Sequence, residues 1–293
     1  MTSENSPLNA ASGRSARPTP VRSRSLPSLT RAETKDFVRL QTEWNALGIS
    51  AKDWAIHKVP GAAGPGDDTD RWLATGRVEV DSVEARTRKL GVRFSGNSVI
   101  DFGCGPGRMS QALTTHFQSV TGVDVSSEVV ELARRVNRFG NRCRFVNNQS
   151  PDLNLFDDGT FDAAFSVYVF QHMPPWLSKR YISELIRVVK PGGTIAFQLH
   201  GGVAWKLLDR LPESWLSYIH NYLVRRPTAH LGQLRSWDVH WIKPAAVTTF
   251  LKQCGVKVHS VDRIPEPDGR MIGYWYFATR IEPSIRPTFQ RGR

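Results

Sequence analysis

Cysteine is scarce in this chain: Cys104, Cys143 and Cys254 are the three among 293 residues, with no CxxC pair and no metal-ligand spacing. So sparse and odd a set fits a reducing compartment better than a disulfide framework and reads as ordinary buried thiols. Long apolar runs are missing too. The longest, around Ala163 to Phe170, is far too short to span a bilayer. The first thirty residues lack the apolar stretch of a secretory leader, so the expected location is the cytoplasm, with no membrane span.

Acidic residues are outnumbered, 27 against 39 Lys/Arg, for a formal charge of +12. Residues 1–40 carry seven Lys/Arg against three acids, and 280–293 carry four Arg against Glu282. The tails therefore hold +4 and +3, and the remaining 239 residues only +5. Basic tails can grip RNA or an anionic surface electrostatically. They are more often simply solvated, so nucleic-acid binding is the weaker reading.

Residues 1–34, rich in Ser, Pro and Arg, hold too few large apolar groups to offset their ordering entropy and read as disordered. Order is expected from about Lys35, where Phe37, Leu40, Trp44 and Leu47 share one helical face. "VPGAAGPGDDTD" is a loop by composition, and "DRWLATGRVEVDSVEARTRKLGV" a helix broken near Gly76. From Ser98 strands and helices alternate: "SVIDFG", helix Arg108–His116, "SVTGVDVS", helix Ser127–Phe139, "CRFVNN", "FDAAFSV", helix Leu177–Val189 closed by "KPGG", then "TIAFQLHG". That alternation means βαβ units and a parallel sheet. After helix Pro244–Cys254, "VKVHSVDRI" and "MIGYWYFATR" flank the turn "EPDG", which makes the last strand antiparallel. The organisation read from this is a helical cap over 35–96, a main domain over 97–280 with a lid-like helical insertion at 202–236, and a basic tail over 281–293.

"VIDFGCGPGRMS" runs from an apolar strand into a bare turn. The glycines are spaced GxGxG, with Arg108 where a dinucleotide fingerprint has its last glycine, and no GK[ST] follows. Neither standard phosphate cradle matches. Asp124 ends the second strand, 17 residues beyond Gly107, where an acid accepts both ribose hydroxyls of an adenosine-type ligand. A ribose reader without a pyrophosphate grip implies a nucleoside that carries no phosphates.

Four blocks then stand in order: "VIDFGCGPGRMS", "VTGVDVSSEVVELAR", "LFDDGTFDAAFSVYVFQHM" and "ISELIRVVKPGGTIAF". Together they resemble the class I S-adenosylmethionine-dependent methyltransferases over about residues 97–200. The resemblance implies a Rossmann-like α/β fold, a seven-stranded, mostly parallel sheet, with S-adenosylmethionine as cofactor and a small-molecule methyl acceptor as partner. It carries Asp101, Gly103, Gly105 and Gly107 onto the methionyl part of the cofactor, Asp124 onto the ribose and Val125 onto the adenine. For the polar residue the family places near the adenine amino group, the candidates are Gln149, Ser150 and Asp152, and the usual Asp-Ala pair is absent. Ser166 and Tyr168 end the fourth strand, facing cofactor and substrate. Arg108 opens the next helix and pairs either with the cofactor carboxylate or with a nearby acid.

The methyl of a sulfonium is already activated, so alignment of the acceptor is the main task, with a base added for an oxygen or protonated amine. His172, His200 and His240 are the candidates; each has a packing role as its alternative. No metal ligand set is expected. Trp44, Trp54, Trp72, Trp205, Trp215, Trp237 and Trp241 lie outside the cofactor blocks, in cap and lid. They suit core packing, and a few of them suit the walls of a pocket for a flat acceptor. The leading function is methyl transfer to oxygen or nitrogen of a small molecule. The alternatives are an RNA methyltransferase gripping with its tails, and an inactive cofactor-binding regulator.

Overall fold

The computed structural model describes residues 26–50, 69–203, 215, 239–265 and 271–281. Helix α1 spans Arg31–Ser50, beginning four residues before Lys35. A capping box sets that start: the Thr30 amide donates to Glu33 Oε2 at 2.7 Å and the Glu33 amide to Thr30 Oγ1 at 3.2 Å. Its Phe37, Leu40 and Leu47 are buried, on the face their spacing predicts.

Helix α2, Thr69–Lys89, runs unbroken through Gly76, against the expected break. The glycine serves packing. A Cβ at position 76 would lie 2.6 Å from the Arg108 carbonyl oxygen, so its absence lets α2 settle onto α3, Arg108–Leu113. Helix α3 is also shorter than the Arg108–His116 expected, because the chain tightens at Thr114 and β2 begins at Phe117.

The strands are β1 (Gly96–Phe102), β2 (Phe117–Asp124), β3 (Cys143–Asn147), β4 (Phe161–Ser166), β5 (Val189–Val203), β6 (Val256–Pro265) and β7 (Met271–Arg280). They form one seven-stranded sheet in the order β3-β2-β1-β4-β5-β7-β6. Strands β1 to β5 pair in parallel, and β7 lies antiparallel between β5 and β6. Helices α4 (Ser127–Val136), α5 (Pro175–Val188) and α6 (Pro244–Gln253) complete the flanking layers. Helix α5 ends at Val188, ahead of "KPGG". That segment instead bulges inside β5, where pairing jumps from Phe161↔Val189 to Ala163↔Thr194.

One core cluster gathers Phe37 and Leu40 of α1 with Phe102, Phe170, Leu177, Tyr181 and Phe197. The other gathers Val80 and Val83 of α2 with Val99, Leu113, Phe145 and Phe165. Strand order reverses between β1 and β4, and ligands of such sheets bind in the crevice beyond the carboxyl ends at that point. The tails 1–25 and 282–293, Trp54, Trp205 and Trp237 lie outside the described residues, as does the 202–236 insertion apart from Gly202, Val203 and an exposed Trp215.

Candidate cofactor and active site

The loop after β1 is fastened to the end of β2. The amides of Gly103 and Cys104 donate to the Val123 carbonyl at 2.7 and 3.1 Å. Gly103, Gly105 and Gly107 have φ of 72°, 53° and 88°, a region L side chains rarely adopt. A Cβ at 103 would strike Val169 and one at 107 would strike Phe145. Gly105 differs: a Cβ there would project into open space. The turn is thus packed from behind and bare in front.

Two carboxylates flank it. The Asp124 carboxylate accepts the Gly105 amide on Oδ2 and the Ser126 amide on Oδ1, both at 3.0 Å. Burial pushes its pKa up while these N–H groups pull it down. A carboxylate offers about four lone-pair sites, so two remain for the vicinal hydroxyls of a ribose. Asp101 is buried and accepts Ser110 Oγ at 2.5 Å. Burial, the largest cause, pushes its carboxyl up to about 7, with Asp124 adding to the rise and Ser110 and Arg108 opposing it. A cation placed beside Asp101 would restore its ionised form. The open face of Gly105 between these acids therefore fits a ligand with a ribose at one end and an ammonium at the other, as S-adenosylmethionine has.

Val125 is half-buried beside Asp124, and Asn147 Nδ2 donates to the carbonyls of both residues at 3.0 and 3.2 Å. Ser150 turns inward: its hydroxyl donates to Asp152 Oδ1 at 2.8 Å and its carbonyl accepts the Tyr181 hydroxyl at 2.6 Å. The loop it sits on is held by α5, and of its three polar candidates only Gln149 is exposed. Ser166 is fully buried and donates to the Phe102 carbonyl at 2.9 Å, so its hydroxyl braces the glycine loop from below. Tyr168 has φ of 61°, the one non-glycine residue at positive φ among those described, immediately beyond β4. Such strain gathers at functional sites.

Arg108 is 9% exposed, and its one hydrogen bond among the described residues runs from Nη1 to Thr75 Oγ1 at 3.2 Å. Burial lowers its pKa, with Glu79, Tyr168 and Asp101 acting against that.

The three histidines reach one rim. His172 closes a short 3-10 turn (Phe170–His172) after β4, His200 lies near the end of β5, and His240 lies on the segment leading into α6. That segment joins the other two. The His240 amide donates to the Gln171 carbonyl at 2.7 Å, and the Ile242 amide to the His200 carbonyl at 3.1 Å. Burial, and then Arg39 of α1, pull the His240 imidazole down to about 4, with Asp36 opposing. His172 meets Trp44 of α1 edge to face, centroids 5.4 Å apart. Sequence reasoning missed these α1 contacts, since helical periodicity marks Trp44 only as a core residue. Trp72 and Trp241 are buried, as packing residues should be. The three cysteines are free and buried, with the Cys143 and Cys254 thiols raised to about 12 by burial.

Residues 99–193 match a family model described as a methyltransferase domain. The chain is 28% identical over 202 residues to the ubiquinone biosynthesis O-methyltransferase of Coxiella burnetii, covering 67% of this chain and 80% of that one. It is 30% identical over 156 residues to the 2-methyl-6-phytyl-1,4-hydroquinone methyltransferase of Synechocystis, covering 52% of this chain and 47% of that one. Among solved structures, the magnesium protoporphyrin IX methyltransferase of Synechocystis with bound S-adenosylhomocysteine shares the fold, with a TM-score of 0.56 and 20% identity over 84% of this chain and 99% of that one.

Proposed function

We propose that this chain, a class I S-adenosylmethionine-dependent methyltransferase, methylates an oxygen of a small aromatic acceptor. The observation that carries the reading is the convergence of His172, His200 and His240 on one rim, joined through the backbone of residues 240–242. The cofactor, when bound, supplies an activated methyl group. Asp124 would hold its ribose and Asp101 its ammonium, while the bare face of Gly105 leaves the backbone room to approach.

The rim residues handle the acceptor. His240 is neutral throughout the physiological range, its charged form disfavoured by burial and by Arg39. A neutral imidazole offers a lone pair to a hydroxyl, so His240 suits orienting the acceptor. Its low basicity leaves His172 and His200 as the groups to take the proton. A phenolic hydroxyl matches this set, because it is an acid that a histidine can deprotonate as the methyl bond forms. Two relatives whose names carry an O-methyltransferase of ubiquinone biosynthesis and a hydroquinone methyltransferase support the same acceptor class.

Turnover of the full chain on a panel of phenols, hydroquinones and aromatic amines, with products read by mass spectrometry, tests this. Methyl ethers should form, His240→Ala should raise KM, and His172→Ala or His200→Ala should lower kcat. Methylation of amines alone would overturn the oxygen assignment. Tight cofactor binding with no turnover on any acceptor would favour the inactive regulator.

A further inference from the structure

A carboxamide oxygen buried without a donor is costly, so such groups are few and each asks for an explanation. Gln198 of β5 is 2% exposed, and its Oε1 has no hydrogen-bond partner among the described residues. The strand fixes where the side chain goes. Phe197 and Leu199 on either side belong to the core cluster of α1 and α5, whereas Ala196 belongs to that of α2 and α3. Alternation therefore turns Gln198 to the α2 side, on one face with Ala196 and His200.

Pairing between β4 and β5 ends at Ser166↔Phe197, so Gln198 is the first residue of β5 beyond it, and the strand runs on to Val203. On the other side, β7 sets Trp275 against Gln198 and Gly273 against His200. Trp275 is half-buried and stacks on Phe277, centroids 5.8 Å apart, while Gly273 brings no side chain to face the histidine. One face of the crevice thus carries an aromatic wall, a rim histidine and, one step below it, an oxygen that lacks a donor. Alternate residues of a strand stand about 7 Å apart, close to the span of one aromatic ring with a group at each end. Gln171, beside His172, repeats the feature: it is 1% exposed, and its Oε1 also has no partner among the described residues.

We propose that Gln198 is a specificity-determining residue of the acceptor site: its carboxamide oxygen accepts a hydrogen bond from a second donor on the acceptor, a hydroxyl or N–H besides the oxygen that is methylated. The inference rests on the reading that the chain methylates an aromatic oxygen, and it selects among such acceptors. A site built to meet a donor rejects an analogue that lacks one, because the protein group is then left unpaired.

The test is kcat/KM of the full chain, with oxygen excluded, on hydroquinone and catechol, on 4-methoxyphenol and 2-methoxyphenol, and on phenol. Wild type should favour at least one diol over its own monomethyl ether and over phenol by about 10- to 100-fold, the effect of one buried group left unpaired. Gln198→Met, similar in shape and apolar, should bring that ratio to within about threefold. Gln198→Glu, which keeps an acceptor oxygen, should retain most of it. Gln198→Met should melt at or above the wild-type temperature, since it removes an orphaned polar group. A preference of wild type for the ethers would mean that the amide presents its N–H instead, and would overturn the proposal. So would an undiminished ratio in Gln198→Met; a marked loss of stability in that variant with the ratio intact would leave Gln198 a structural residue. If phenol and the ethers turn over as well as the diols, oxygen methylation stands and the role of Gln198 falls. If no phenol of the set is methylated, both fall.

Discussion

Two arginines of this molecule are buried almost equally, and their surroundings are opposite. Arg187 of α5 is 3% exposed and saturated. It donates to Glu184 through Nε at 3.0 Å and Nη2 at 2.9 Å, to Asp158 at 2.7 Å, and to the carbonyls of Phe156 and Leu153 at 2.9 Å each. Burial alone would lower its pKa, but Glu184 and Asp158 outweigh that and raise it. Arg108 has one hydrogen bond among the described residues and a lowered pKa. Arg187 locks α5 to the loops around β4, at the end of the sheet away from the crevice, and Arg280 of β7 closes over it by donating to the Arg187 carbonyl at 2.7 Å. The lesson is that burial alone does not set the state of an arginine; what sets it is whether the protein has already answered the charge.

The largest expected effect breaks the saturated side. Arg187→Met removes the guanidinium from the fully buried Glu184 and should cost about 3–5 kcal/mol, since a buried charge then loses its partner. Pairing it with Glu184→Leu should recover much of that loss. Thermal or denaturant unfolding reads both, and Arg108→Met in the same assay should lose almost nothing. Equal losses at the two sites would erase the distinction drawn between them. Next in size is Asp124→Ala. Two charge-assisted hydrogen bonds to ribose are worth about 1.5–3 kcal/mol each in such settings. Titration with S-adenosylhomocysteine should therefore show a loss of about a hundredfold or more, alongside a modest loss of stability from the orphaned amides of Gly105 and Ser126.

The contrast between the two arginines was not legible in the sequence, although the sheet was. Each strand stood out because its apolar residues are punctuated by Gly, Pro and Asp, and the β6–β7 hairpin followed from "EPDG" between two strand-like runs. The glycine turn and Asp124 were equally plain, since their spacing is local. What failed was long-range or ambiguous. Gly76 reads as a helix breaker unless one knows that Arg108 passes within contact of it. "KPGG" marked the helix stop to within one residue, but not the bulge that the segment makes inside β5. The start of α1 was available in "TRAE", a capping signature hidden at the edge of a polar tail. Thr75 and Trp44 carry no local mark of their roles, because Arg108 and His172 lie far along the chain. The partners of the Ser150 and Ser166 hydroxyls, Asp152 and the Phe102 carbonyl, carry no local mark either.

The smallest effect sharpens the comparison at Asp101, whose charge Arg108 feels through space. Asp101 titrates at about 7 because burial outweighs the Ser110 hydrogen bond and the Arg108 charge. Its folded value lies above the ordinary 3.8 of an aspartic acid, so the folded chain holds this proton after the unfolded chain has released it. The stabilising contribution is complete below about pH 4 and is lost as pH rises towards 7. Ligand binding runs the other way. An ammonium needs the ionised carboxylate, so affinity for S-adenosylhomocysteine should be full above pH 7 and fall as pH drops through it, approaching about tenfold per unit. Calorimetry between pH 6 and 8 in buffers of different ionisation enthalpy should show proton release on binding, about one proton at the acid end. Asp101→Asn should flatten the profile. Decarboxylated S-adenosylhomocysteine, which keeps the ammonium, should retain the slope. A slope that vanished with the carboxylate instead would mean that Asp101 answers to Arg108 rather than to the ligand, and the two charges would then form a pair of the Arg187 kind.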